Sequence, residues 1–363
     1  MTDDRKRYPR AALEDFCAAA FARLGLEASE ARTSAEVLVA ADASGIPSHG
    51  LARLGRYVEG LRSGLMVPDA RPLTLAETPT SLVVDAQGGM GAPVSKSTMH
   101  RTIAKARDSG AAFACVRDSN HFGIAGYYAR LALGEGMLGI AMTNTAALGV
   151  PTFGSAVRFG TNPIAFAAPA GEEEAFVLDM STTVVSRGKV EVKARAAKPL
   201  PRGWAVDRSG GDTEAAGPLL EDMQARAGGG LLPLGGRGTD LGGHKGYGLA
   251  VMVDILCAAL SGAPFGDALR DTEGSSARVS HFFGAIRVAS FRDLAAFRAD
   301  MDGLLRSLRS TPPAAGEERV LYAGLPECEF EADCALRGVP VAPSTLASME
   351  AVARALGVPW IGG

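Results

Sequence analysis

Apolar residues recur at helical spacing through the first sixty positions. Leu13, Phe16, Cys17, Ala20 and Leu24 predict one helix, stopped by Gly25. Ser29 is placed to cap a second helix that reaches Ala43 and is broken by Gly45-Ile46-Pro47. A third helix is predicted from Ser48, where Leu51, Leu54, Tyr57, Val58 and Leu61 form one stripe and Gly64 ends it. The pattern then changes. Short apolar runs at 81–85, 111–116, 138–143, 164–168 and 175–178 predict strands, with helices at 94–107 and 124–133 between them. Residues 199–218, rich in Pro, Gly and charge, predict a long excursion or hairpin. A glycine-dense stretch at 228–248 leads into an apolar helix at 247–260. Phe291, Leu294, Phe297, Met301, Leu304, Leu305 and Leu308 share one face of a helix at 291–309, and a last helix is predicted at 344–356. Helical ends around an α/β middle suggest that both termini share one helical domain.

The chain has 363 residues, a length that suggests about two domains. With 47% hydrophobic and 21% charged residues it carries enough apolar material for a core, which excludes intrinsic disorder. A formal charge of −3 lacks the basic footprint of a nucleic-acid binder. The five cysteines are scattered and include no C-x-x-C, so reduced thiols fit better than a disulfide framework or a zinc ribbon. The charged start, MTDDRKRYPR, lacks the apolar stretch of a secretory signal. The most apolar run is too short for a bilayer and carries Asp254. A soluble, cytoplasmic protein is expected.

The 45 glycines are in excess and invite a nucleotide reading, yet the usual fingerprints fail. Residues 88–94 offer G-x-G without a third glycine, and Pro93 occupies the turn. Residues 238–243 have Walker spacing, but His244 stands where the lysine belongs. Lys245, between Gly242-Gly243 and Gly246 at a helix start, suits either an anion site or a solvated glycine-rich loop. Ser48, His49, Arg53 and Tyr57 are spaced to share one ridge: a hydroxyl, a pH-tunable imidazole and a guanidinium able to grip a carboxylate. Unrelated surface residues, with Ser48 as a plain N-cap, are the alternative. His49 in a helix first turn would have its pKa lowered by the dipole. His121 lies on a strand-to-helix loop, Asp118 to Gly123, and is either an acid–base or a satisfied loop histidine. His281, before Phe282-Phe283, is expected to be packed, and His100 to lie on the surface. Asp179, at a strand end, would either take a ribose hydroxyl or form a turn. No H-x-x-x-H, H-E-x-x-H or G-x-S-x-G occurs, so neither a metal site nor a serine hydrolase is expected.

Several long blocks together resemble the type 2 malate/L-lactate dehydrogenases, NAD(P)H-dependent 2-oxoacid reductases unrelated to the Rossmann lactate dehydrogenases. The blocks are SHGLARLGRY (48–57), SNHFGIAGYYA (119–129), TNTAALGVPTFGSAVRFGTNPIAFAAPA (143–170), LDMSTTVVSRGKVEV (178–192), LLPLGG (231–236), GGHKGYGLAVMVDILCAALSG (242–262), HFFGAI (281–286) and the tail 320–341. The resemblance implies a non-Rossmann, mixed-sheet α/β cofactor domain (79–287) joined to a helical domain built from both termini (1–78 and 288–363), assembled as a homodimer. It implies hydride transfer between NAD or NADP and C2 of a small 2-oxo acid, with no metal, no nucleic acid and no membrane partner. It puts Ser48, Arg53 and Tyr57 at the substrate, and His49 and His121 as the acid–base pair, of which the helix-start position favours His49. Thr145, Asp179, Met180, Ser181, Lys245 and Gly246 match cofactor-contacting positions. Reduction of cyclic 2-imino acids is the alternative within the family, and a catalytically silent metabolite- or nucleotide-binding protein the alternative outside it. Two stretches depart from the family pattern: 211–230, and Ala323-Gly324-Leu325-Pro326-Glu327 where many members have a Pro-Gly-Glu turn.

Overall fold

A computed structural model describes residues 5–272 and 276–361. Strand β1 (Lys6–Tyr8) leads into α1 (Arg10–Arg23), α2 (Ala28–Ala43) and α3 (Leu54–Arg62). An α/β portion follows: β2 (Leu73–Glu77), β3 (Ser81–Asp85), α4 (Gly91–Ser109), β4 (Ala111–Ser119), α5 (Ala125–Arg130), β5 (Met137–Thr143), β6 (Ile164–Ala168) and β7 (Phe176–Met180). Next come α6 (Arg187–Arg195), β8 (Ala205–Val206), α7 (Ala216–Ala225), β9 (Gly230–Leu231) and α8 (Gly243–Asp254), the last continuing as a π-helical turn over Ile255–Ala259. Strand β10 (Val279–Arg287) precedes α9 (Leu294–Arg309), α10 (Leu325–Arg337), β11 (Val339–Val341) and α11 (Pro343–Leu356).

The main sheet has the order β2-β3-β4-β10-β5-β6-β7, and only β3–β4, joined through α4, is a parallel pair. A doubly wound sheet needs a run of parallel strands, so the mixed, non-Rossmann expectation holds. Strand β10 was not foreseen. It is buried along Val279–Ala285 and so lacks the alternation that betrays a half-buried strand. One core lies between this sheet and α4 and α5. A second joins Leu13, Phe16, Leu38 and Leu54 from the N-terminal helices to Val339, Met349 and Val352 from the C-terminal end. The β1–β11 pairing ties those two ends together. Helix α9 packs elsewhere: its buried Leu305 meets Tyr322 and Leu325, beside Phe176 of β7.

The departing stretch 211–230 contains α7 and ends in β9, which pairs with β8 and completes a small core around Val190, Leu200 and Leu219. The glycines of two suspected nucleotide loops have packing explanations. A Cβ at Gly91 would lie 2.1 Å from the Asn120 carbonyl oxygen, and one at Gly243 1.9 Å from that of Gly236. Backbone approaches backbone there, which only glycine permits.

Candidate active site

The loops leaving the C-terminal ends of β4 and β5 open onto a cavity of about 730 Å³. Across it stands the segment between α2 and α3. The predicted single helix from Ser48 is instead two 3-10 turns, Pro47–His49 and Leu51–Arg53, ahead of α3. The cause is a buried carboxylate. Asp42 near the end of α2 accepts the Leu51 N–H at 2.5 Å, and a Cβ at Gly50 would fall 1.9 Å from the same oxygen. The segment therefore bends around Asp42 instead of running straight. His49 consequently has no α-helix dipole behind it; burial first, then the neighbouring Arg53 charge, push its pKa down to about 4.

Four of the five sequence-predicted catalytic and substrate residues line the cavity: Ser48, His49, Arg53 and His121. The imidazoles of His49 and His121 stack with centroids 5.5 Å apart. Ser48 Oγ lies 2.9 Å from His49 Nδ1. Arg53 donates from Nε to the Ser48 carbonyl at 2.7 Å, and among the described residues its terminal nitrogens have no ion-pair partner. Tyr57 is buried and does not reach the cavity wall; its hydroxyl lies 2.6 Å from His121 Nδ1.

The two histidines are held differently. His121 Nδ1 also accepts the backbone N–H of Gly123 at 3.2 Å. A backbone N–H cannot reverse its role, so Nδ1 is the acceptor, Tyr57 donates, and the proton of the neutral ring sits on Nε2. Burial, with the His49 and Arg53 charges behind it, drives the His121 pKa well below the ordinary value. His49 Nδ1 faces a hydroxyl instead, which can accept from Nδ1–H whether Nε2 is protonated or bare. The His121 loop is seated by Asn120, whose amide donates to the Gly88 and Gly89 carbonyls at 2.8 Å each. The weak G-x-G motif thus serves as the socket for that loop.

The cofactor candidates do not share one cavity. Thr145 lines the large one, where its hydroxyl accepts the Thr161 N–H at 3.0 Å. Asp179 lines a second cavity of about 300 Å³, between α5, β7 and the N-terminal end of α10. It accepts the Gly126 N–H at 2.7 Å; desolvation, opposed by that bond and assisted by the nearby Glu327 charge, raises its pKa to about 6. Met180, Ser181, Lys245 and Gly246 line neither cavity. Lys245 is exposed, and Gly246 is explained by the Leu234 carbonyl, 2.2 Å from its hypothetical Cβ. His281 is fully buried and His100 exposed, as anticipated. Besides Arg53, four guanidiniums not singled out from sequence line the large cavity, Arg56, Arg187, Arg226 and Arg270, along with the carboxylates of Glu59 and Asp271. Arg56 stands three residues beyond Arg53, a spacing that places both on one helical face.

The sequence profile described as malate/L-lactate dehydrogenase matches residues 8–350. A malate dehydrogenase of Pyrococcus horikoshii is 38% identical over 97% of this chain and 96% of its own. An L-sulfolactate dehydrogenase of Methanocaldococcus jannaschii is 34% identical over 84% of this chain and 85% of its own. The crystal structure of malate dehydrogenase from Entamoeba histolytica superposes with a TM-score of 0.94 at 33% identity, covering 98% of this chain and 99% of that one.

Proposed function

Because the chain belongs to the malate/L-lactate dehydrogenase family, oxidoreductases working between NAD(P)H and C2 of a small 2-oxo acid, we propose that His49 is its proton donor and acceptor. His121 then serves as a neutral hydrogen-bond donor. The carrying observation is the Gly123 N–H on His121 Nδ1. With that nitrogen committed, His121 presents only Nε2–H to the cavity and has no free lone pair with which to take a proton in the oxidation direction. His49, with Nδ1 toward Ser48, has an Nε2 able to exist with or without its proton.

The terminal nitrogens of Arg53 grip the substrate carboxylate as a planar fork, while its Nε braces the Ser48 carbonyl. Ser48 keeps His49 in the useful tautomer. Tyr57 acts through His121. A bound carboxylate also brings negative charge beside His49, which favours its protonated form at the moment it must donate. Arg56 adds positive charge to the same wall, which favours a substrate with a second anionic group, such as oxaloacetate over pyruvate; Arg187 is ion-paired with Glu191 at 2.9 Å.

The nicotinamide cofactor supplies or accepts the hydride. The Asp179 carboxyl, open to the second cavity, has the chemistry to accept ribose hydroxyls, and Thr145 lines the same cavity as the histidines. The division into 1–78 with 288–363 and 79–287 belongs to this reading, supported by the core that α1–α3 share with β11 and α11. So does a homodimer, supported by the exposed apolar row Val251, Ile255 and Leu260 along α8 and its π-helical continuation. Cytoplasmic residence is supported by five free cysteines. No described helix is long and apolar enough to cross a membrane.

A panel of oxaloacetate, pyruvate, sulfopyruvate and piperideine-2-carboxylate, run with NADH and with NADPH, tests the substrate reading. His49→Gln and His121→Gln test the roles. If His49→Gln keeps near-normal kcat while His121→Gln loses about 10²-fold, the assignment is reversed.

A further inference from the structure

Strand β10 runs between β4 and β5, the two strands whose C-terminal loops carry His121 and Thr145. The ladder between β10 and β4 breaks where the His121 loop departs. Val279 pairs with Ser119 but His281 pairs with Val116, so β4 has an extra residue there, and Asp118 takes φ of 51°. A bulge leaves backbone unpaired and bends the strand. At that break the His281 side chain spans the gap.

The ring is fully buried, with Nδ1 2.8 Å from Thr143 Oγ1 and Nε2 2.9 Å from Ser119 Oγ. The direction of each bond is determined by counting protons. Thr143 has one hydroxyl proton and two carbonyl acceptors, Ser280 and Asn144, each at 3.0 Å. Its oxygen therefore accepts from His281 Nδ1–H. Nε2 faces the Ser119 hydroxyl; the Asn120 carbonyl, within reach of both, favours a charged ring but is outweighed by burial, so Nε2 stays bare and accepts from Ser119. Burial keeps the ring neutral, with its pKa pushed down to about 3, so the donor and the acceptor stay in place. The Phe122 ring also lies on the imidazole face, 4.4 Å away and inclined by 6°.

His121 thus sits between two residues that His281 holds, Ser119 by hydrogen bond and Phe122 by stacking. Thr143, the root of the loop carrying Thr145, is held by the opposite edge of the same ring. We propose that His281 is a positioning residue for the dehydrogenase reaction, fixing the His121 loop against the Thr145 loop across the bulge. A neutral imidazole is suited to this because it has a donor and an acceptor on opposite edges and a flat apolar face. The inference rests on the reading of His121 given above.

The test is a set of double-mutant cycles on kcat. His281→Phe keeps an aromatic face for Phe122 and loses both polar edges. Ser119→Ala deletes one hydroxyl and serves as the milder variant where His281→Phe does not fold cooperatively. Each is expected to lower kcat by roughly 10-fold or more with a smaller change in KM. Each loss is expected to shrink to about 2-fold or less when the same change is made in His121→Ala protein. His281→Asn, which keeps the Nδ1–H edge, is expected to recover part of the loss. Losses that multiply in full on the His121→Ala background, or Ser119→Ala at wild-type kcat, would overturn the role of His281. A wild-type kcat in His121→Ala itself would instead remove the role of His121 on which the inference stands.

Discussion

The depressed pKa of His49 makes the two directions of the reaction respond differently to pH. In the free enzyme the imidazole titrates near 4, so at pH 7 only about one molecule in 10³ carries the proton needed to reduce an oxo acid. Since kcat/KM reports the free enzyme, its value for reduction should fall about tenfold per pH unit from pH 5 to 8. In the oxidation direction the required form is neutral His49, already dominant throughout that range. There kcat/KM should stay level and fall only as pH approaches 4, where His49 takes up its proton. The ratio of the two then varies with the first power of proton concentration, as a reaction consuming one proton demands. Initial rates followed by reduced-nicotinamide absorbance, with each substrate well below its KM, measure both profiles. In His49→Gln the reduction slope should be lost and oxidation should instead rise with pH, which preserves the ratio; His121→Gln should lower both levels and keep the parent slopes. A reduction profile flat to pH 7 before it breaks would refute a strongly depressed His49, and a slope surviving in His49→Gln would refute its role as the acid.

The same geometry makes three other demands. Gly50→Ala places a methyl onto the Asp42 carboxylate and disturbs the Leu51 N–H bond; a loss of about 3 kcal/mol in urea unfolding is expected, together with reduced kcat. Asp42→Ala in the same chain should relieve part of it, and a neutral Gly50→Ala would refute the bent-segment account. Arg56→Gln is expected to cut the kcat/KM preference for oxaloacetate over pyruvate by about tenfold; an unchanged ratio means Arg56 does not meet the second anionic group. Asp42 itself is buried, which raises its pKa from an ordinary carboxylate value to about 7. The folded state holds its proton over a range where the unfolded chain has lost it, so stability falls as pH rises between about 4 and 7. Asp42→Asn should remove this fall and gain on the parent protein by about 2–4 kcal/mol between pH 4 and 8; equal pH dependence in both would refute it.

Residues whose partners lie nearby in the chain were legible from sequence. The helical stripes of α1 and α3 and the short apolar run of β3 follow from local pattern, and Ser48, His49 and Arg53 fall within one short segment. Where the local pattern misleads, a distant residue intervenes. A straight helix from Ser48 is a sound local expectation, but the Asp42 carboxylate bends it, and so the cause of the low His49 pKa is burial and Arg53. The glycines at 88–91 and 242–246 stood out by density, yet their chief demand is close contact with the Asn120, Gly236 and Leu234 backbones. Strand β10 carries no alternation because both its faces are covered.

The order of residue types along the chain was enough to establish an α/β protein of this family, with a histidine–arginine pair at one site. It left His49 and His121 open, because a histidine's chemistry depends on what occupies each ring nitrogen, and those partners are remote in the chain or set by backbone conformation. Tyr57 reaches His121 across 64 positions, and Ser119 reaches His281 across 162. Only folding brings such pairs within hydrogen-bond range. The partners of each ring nitrogen, on which the proposed roles of the two histidines rest, exist only in the folded chain.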